Sequence, residues 1–321
     1  MPPIYFAPLE GITDAVFRRT HAAHFGGVCK YFIPFVSPTQ NLCFTKRELA
    51  NVSPEENAGL FAVPQILTHD AGHFLWAARA LCDMGYGEVN LNLGCPSGTV
   101  TAKGKGAGQL RDLPALDRFL DAVCAGLPSG MRLSIKTRIG YTDVGEFDAL
   151  LTLFSRYPLL ELIVHPRTRV EFYKGAPHRG VYAAACSRTR APLVYNGDLF
   201  TARDCRELLC ACPGTSALML GRGLVANPAL ARELSGAAPL TRESLRAFSD
   251  ALLDAWLERH PPNVAVARTA EVMKHAACCF ANADKPRKLI RKARTLADYR
   301  DAEARLFDCE LKSEPGFVPE A

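Results

Sequence analysis

The chain has 321 residues, 48% hydrophobic and 22% charged, with 38 Lys and Arg against 33 Asp and Glu. That length holds one large domain plus a small one, and the composition is ordinary for a soluble globular protein. No stretch approaches the ~18 uninterrupted apolar residues of a membrane span, and the start Met1-Pro2-Pro3-Ile4-Tyr5-Phe6-Ala7 has no basic region, so a cytoplasmic protein with no membrane partner is expected.

Taken in chain order, short apolar runs alternate with helical patterns. Strands are predicted over residues 4–9, 30–35, 60–67, 88–93, 132–136, 160–165, 192–196 and 217–220. They read mostly as continuous apolar runs, the mark of strands buried on both faces of a parallel sheet. Helices are predicted between them, for example over 14–24, 71–84, 113–125, 145–155 and 201–211, with Thr13, Asp70, Asp112 and Thr201 as candidate N-caps. Eight strand–helix units over ~230 residues predict a (β/α)8 TIM barrel. An open doubly wound sheet is the alternative, but no G-x-G-x-x-G turn follows the first strand. The segment Ser235-Gly236-Ala237-Ala238-Pro239 breaks the alternation, after which only helices are predicted, over 241–260, 265–281, 286–296 and 298–306. The expected organisation is a barrel over 1–235, a helical domain over 241–312 and a polar tail over 313–321. Twelve cysteines have no C-x-x-C spacing, so no metal is expected.

Functional groups of such a barrel gather at the C-terminal ends of its strands. Here those ends carry Glu10-Gly11, Gln65, Asn92 to Pro96, Lys136-Thr137-Arg138, His165-Pro166-Arg167, Asn196-Gly197-Asp198 and Gly221-Arg222-Gly223. The Gly-Arg-Gly turn supplies close backbone N–H groups and a guanidinium, which suits a phosphate. Lys136 closes an apolar strand and needs an anionic partner. A flavin edge that gains negative charge on reduction would serve; a salt bridge to Glu10 or Asp198 is the alternative. His165 stands either beside the same ring or as a satisfied core histidine. Cys95 sits between Gly94 and Pro96, before a stretch over 97–108 rich in Gly, Thr and Lys that is expected to be mobile. A thiol in water is mostly protonated at neutral pH and can donate a proton.

These segments, together with Ala7-Pro8-Leu9-Glu10-Gly11-Ile12-Thr13-Asp14, His165-Pro166-Arg167-Thr168-Arg169 and Tyr173-Lys174-Gly175, resemble the tRNA-dihydrouridine synthases over residues 4–235. The resemblance implies an FMN-dependent barrel with a small helical domain. It implies reduction of uridine in tRNA to 5,6-dihydrouridine, with NADPH or NADH as reductant. Hydride would pass from flavin N5 to uracil C6 and a proton from Cys95 to C5. FMN would be held by Pro8, Leu9, Glu10, Gln65, Lys136, His165, Asn196, Gly197, Asp198, Gly221 and Arg222. Asn92, Arg138 and Arg167 would lie near the flipped uracil. Three positions depart from the family pattern: Leu9 where Met is frequent, Asn90 where Asp is common, and Pro166 where Gly is usual.

The stretch 285–294 packs six basic residues into ten. At ~100° per residue, Arg287, Lys288, Arg291, Lys292 and Arg294 share one face of a helix opposite Leu289, Ile290 and Ala293. Lys285, Arg287, Lys288, Arg291 and Arg294 are therefore the expected tRNA phosphate contacts, with a merely solvated face as the alternative. Lys103, Lys105, Arg169 and Lys174 could add contacts near the mouth. A monomer is expected. Two other functions fit part of the pattern: an FMN barrel acting on a free pyrimidine, and a catalytically silent RNA-binding relative.

Overall fold

The continuous apolar runs form eight parallel strands: β1 (Ile4–Phe6), β2 (Lys30–Val36), β3 (Ala62–Ile66), β4 (Glu88–Leu93), β5 (Arg132–Arg138), β6 (Leu162–His165), β7 (Leu193–Tyr195) and β8 (Ala217–Leu220). Each pairs with the next in sequence order, and β8 pairs back with β1 to close the barrel. The computed structural model describes residues 1–319. β1 ends at Phe6, short of the expected residue 9. Ala7 still donates to the Leu220 carbonyl (2.8 Å), but Pro8 has no N–H with which to extend the ladder.

The barrel interior has an apolar and a polar flank. Tyr5, Ala7, Phe32, Val63, Ile163, Val194, Ala217 and Met219 pack as one cluster inside it. β4 and β5 instead alternate polar with apolar residues, and their polar set meets inside the barrel. Asn92 Nδ2 donates to Gln65 Oε1 (2.7 Å), Gln65 Nε2 to Asn90 Oδ1 (2.8 Å), Asn90 Nδ2 to Ser134 Oγ (3.0 Å), and Ser134 Oγ to Glu88 Oε1 (3.0 Å). Asn90 thus donates and accepts, as an ionised Asp could not. At the floor, where the strands begin, Lys30 Nζ bridges Glu88 (2.9 Å) and Glu161 (3.1 Å), and the Tyr5 hydroxyl donates to Glu161 (3.0 Å). Burial pushes the Glu161 carboxyl above the usual range.

Helices cover the outside. Asp70, Asp112 and Thr201 cap theirs through side-chain oxygens as expected. The first helix (Ala15–His24) is capped by Asp14, not Thr13. The Thr13 hydroxyl instead accepts from the Leu9 N–H (2.9 Å), tying down the turn after β1. The stretch 97–108, expected to be mobile, is ordered into a short helix (Gly98–Thr101) and a 3-10 turn (Gly106–Arg111). Gly106 to Leu110 are buried, so this backbone is packed core.

After Leu234 the chain forms helices Arg242–Leu257, Pro262–Ala276, Asp284–Lys292 and Leu296–Phe307. Pro262 opens the second of these, where a missing N–H costs nothing. Asp14 joins this unit to the barrel: its Oδ1 caps Phe17 N, while Oδ2 accepts from Trp256 Nε1 (3.1 Å) and Arg268 Nη1 (2.6 Å). Phe248 adds edge contacts to Phe25 (5.3 Å) and Phe17 (5.9 Å). Within the tail, Gly316 and Phe317 are buried, Gly316 against the Phe200 backbone and Phe317 against the Phe200 ring. Its last two residues, 320 and 321, lie outside the described residues. No helix among the described residues is long and apolar enough to cross a membrane.

Candidate active site

Strand ends that are far apart in sequence share one rim. A cavity of about 400 Å³ opens there, walled by Pro8, Leu9, Lys136, His165, Tyr173, the Asn196–Asp198 turn and Gly221–Gly223. From the helical unit, Glu271, Lys274 and His275 close one side.

Lys136 is the informative residue. It comes from the polar alternation of β5, opposite Asn92 in the β4 register. Among the described residues its ammonium makes no hydrogen bond or ion pair. The two carboxylates that could have paired with it are engaged elsewhere: Glu10 with Arg47 (2.6 Å) and Asp198 with Arg167 and Arg222. Burial, with Arg138 nearby, pulls the Lys136 ammonium down to about 7. His165 is also held well below its usual range by burial and then by Arg138, so its imidazole is neutral at physiological pH. Its Nε2 lies 3.2 Å from Arg167 Nη1.

Asp198 carries the local negative charge. It faces Arg167 through both carboxylate oxygens and Arg222 Nη2 at 3.0 Å. Its φ is +37°, a left-handed conformation that costs a non-glycine residue free energy and persists only where surroundings impose it. Two guanidinium groups hold this turn. Pro166 packs against this turn, and a Cβ on Gly197 would lie 3.2 Å from the Pro166 ring.

Cys95 lies beside the cavity on the loop after β4. Asn92 Oδ1 accepts from the N–H groups of Gly94 (3.1 Å) and Cys95 (3.0 Å), while Arg138 Nε donates to the Gly94 carbonyl (2.9 Å). Cys95 lies within electrostatic reach of Lys136 and Arg138. Arg138 is fully buried and also donates to the carbonyls of Thr168 and Phe172 (both 2.8 Å). Its Nη2 lacks a well-formed hydrogen bond among the described residues, with Tyr173 beside it. The Tyr173 ring, 55% exposed, lies between the Arg138 (5.4 Å) and Arg222 (5.0 Å) guanidinium groups.

The rim thus gathers Pro8, Leu9, Lys136, His165, Asn196, Gly197, Asp198, Gly221 and Arg222, with Asn92, Cys95 and Arg138 adjoining. It does not gather Glu10, which is exposed on Arg47, or Gln65, whose buried amide is spent on Asn90 and Asn92. Arg167 is 1% exposed, and its donors go to Asp198 and the carbonyls of Lys174 and Gly175. It braces the rim. Of the basic stripe, Lys285, Lys288, Arg291 and Arg294 are exposed, while Arg287 is half-buried with its Nε on the Lys274 carbonyl (2.9 Å). Sequence reasoning missed Glu271, Lys274, His275, Phe200 and Phe317. No local motif marks them: Glu271, Lys274 and His275 reach the rim through docking of the helix Pro262–Ala276, Phe200 follows the β7 turn, and Phe317 arrives on the C-terminal segment.

A family model described as "Dihydrouridine synthase (Dus)" matches residues 5–310. A "Probable tRNA-dihydrouridine synthase" of Rhodobacter capsulatus is 30% identical over 255 residues, covering 78% of this chain and 77% of the relative. A "tRNA-dihydrouridine(16) synthase" of Pseudomonas syringae pv. tomato is 30% identical, covering 73% and 75%. Among solved structures, a morphinone reductase matches with a TM-score of 0.51 at 13% identity, over 75% of this chain and 87% of the other. That last likeness concerns the fold.

Proposed function

Because the chain belongs to the dihydrouridine synthase family, we propose that it reduces a uridine of tRNA to 5,6-dihydrouridine with FMN as cofactor and NADPH or NADH as reductant. The observation that carries this reading is the unpartnered Lys136 ammonium on the cavity wall, with Arg222 and the Gly221 backbone at the β8 end. A cation drawn largely out of water without an anion is costly, and this half-buried one fits a planar group that carries negative charge at its ring edge and a phosphate on its side chain. The orphaned Arg138 Nη2 fits the same polar ligand set. Bound FMN would supply the hydride for uracil C6.

The chain's own residues supply the rest. Lys136 and neutral His165 would hold the flavin ring, and Arg222 with Lys274 would hold the phosphate. Cys95 donates the proton to uracil C5, held in place by Asn92 and Arg138, which grip the N–H and the carbonyl of the Gly94–Cys95 peptide. The uracil has to leave its stack to enter the cavity. The exposed cations of the helix Asp284–Lys292 hold the tRNA backbone.

The purified protein is expected to be yellow and to release FMN on denaturation. Dihydrouridine is expected to vanish from one tRNA position when the gene is deleted. Position 16 is the first to map, since the Pseudomonas syringae relative is named for it. A colourless protein that takes up no added FMN would overturn the cofactor assignment.

A further inference from the structure

We propose that the C-terminal segment is part of the cofactor site, with Phe317 as a positioning residue that aims Arg222 at the phosphate. This rests on reading the cavity as an FMN site and adds what holds its phosphate end.

The segment is laced first to the helical unit and then to the barrel. Phe280 and Leu311 form a β-bridge, and Lys312 donates to the carbonyls of Cys279 through its backbone (2.9 Å) and Cys278 through its ammonium (2.8 Å). Asn227 Nδ2 donates to the Pro315 carbonyl (3.3 Å). Gly316 then passes so close to the β7–β8 side of the rim that a Cβ would stand 2.7 Å from the Phe200 carbonyl oxygen. No larger residue fits there without displacing backbone. This close approach delivers one buried ring, Phe317, to a position shared by three elements. It packs on Phe200 at 5.2 Å, stacks on His275 at 5.6 Å with 26° between planes, and lies under the Arg222 guanidinium at 5.0 Å.

Arg222 is therefore bounded by the rings of Tyr173 (5.0 Å), Phe200 (5.5 Å) and Phe317, with Asp198 on one edge. A guanidinium offers its flat faces to rings and its edge N–H groups to anions. Here Nη2 serves Asp198, while Nε and Nη1 make no hydrogen bond among the described residues. The rings restrict a long side chain to an orientation in which those donors remain available to an anion in the cavity. The order this imposes before binding is free energy the ligand need not supply. Lys274 and His275 line the same cavity, so the ring also fixes the helix Pro262–Ala276 against the site.

The test compares two ligands that differ by the phosphate. FMN and riboflavin are titrated against the full-length apoprotein, with binding followed by flavin fluorescence. Phe317→Leu, which keeps apolar volume but removes the ring, is expected to weaken FMN about tenfold while changing riboflavin by less than about twofold. Phe317→Tyr is expected to restore FMN affinity. Phe200→Leu is expected to reproduce the phosphate-selective loss from a different segment. If Phe317→Leu does not fold, Phe317→Met enters the same comparison. Equal losses for both flavins would reduce Phe317 to a general packing residue, and no loss for either would remove the segment from the site; both overturn the proposal. A wild-type apoprotein that binds neither flavin would bring down the FMN reading itself, and this proposal with it.

Discussion

At the floor of the barrel the Lys30 ammonium meets two carboxylates, Glu88 and Glu161, with the Tyr5 hydroxyl completing the set. At the mouth the Lys136 ammonium meets none: Asp198 pairs with Arg167 and Arg222, Glu271 pairs with Lys274, and Lys136 and Arg138 are left without a carboxylate. Both sets sit on the same eight strands and are similarly withdrawn from water. At the floor every charged group has an oppositely charged partner within the fold. The mouth holds positive charge in excess of what the fold needs, which is free energy kept in reserve for an anionic ligand.

This contrast can be broken or sharpened by substitution. The largest effect is expected from Cys95→Ala. Loss of a positioned general acid is worth ~10²–10⁴ in rate, and it should appear only when tRNA reoxidises the reduced enzyme. FMN binding and reduction by NADPH should be near normal. Stopped-flow flavin absorbance reads this; reoxidation by unmodified tRNA at the wild-type rate would exclude Cys95 as the acid.

Lys30→Met at the floor strands two buried carboxylates and is expected to cost roughly 3–5 kcal/mol of stability. FMN affinity should be unmoved. Urea unfolding and flavin titration of the same sample separate the two quantities. A loss of FMN affinity with no loss of stability would erase the distinction between floor and mouth.

Lys136→Met should do the reverse, weakening FMN binding while relieving the empty site. Its folded-state ammonium titrates near 7 against 10.5 as the reference. Between those values the unfolded chain binds more protons than the folded one, so this residue makes apoprotein stability rise with pH. The wild type should therefore gain on Lys136→Met by at most ~1.4 kcal/mol per pH unit between pH 7.5 and 9.5. Parallel stability–pH curves for the two proteins would mean that Lys136 is solvated or paired.

The smallest effect is expected furthest from the cavity. Neutralising Lys285, Lys288 and Arg291 together should flatten the dependence of log K for tRNA on log salt by roughly 2–3 units, with NADPH oxidation by oxygen unchanged. An unchanged slope would make the stripe a solvated surface.

Much of this was legible in the sequence because strand ends converge by topology. Once eight apolar runs are counted, Lys136, His165, Asn196 to Asp198 and Gly221-Arg222 must share a rim wherever the helices lie. What a side chain does there is a different matter. Gln65 and Arg167 stand at strand ends yet are consumed by neighbours, and nothing local to either residue reports the partner. A signal for the buried polar chain was present: Glu88-Val89-Asn90-Leu91-Asn92-Leu93 alternates strictly. Reading the strands as continuous apolar runs passed over it. Phe317 was hidden for another reason. A ring in a polar tail has meaning only through the close approach that Gly316 permits, some 95 residues after Arg222 in the chain.

The amide chain inside the barrel has a direction. Every link from Asn92 through Gln65, Asn90 and Ser134 donates toward Glu88, whose carboxylate can only accept while ionised. No amide in that row can flip alone, since a reversed link would set donor against donor on one side and acceptor against acceptor on the other. The charge at the floor therefore sets the sense of the whole row, and with it the fact that Asn92 presents its oxygen, not its nitrogen, to the N–H groups of Gly94 and Cys95. The amide orientation that seats Cys95 at the mouth is decided by an anion at the opposite end of the barrel, much as the first domino decides which way the last one falls.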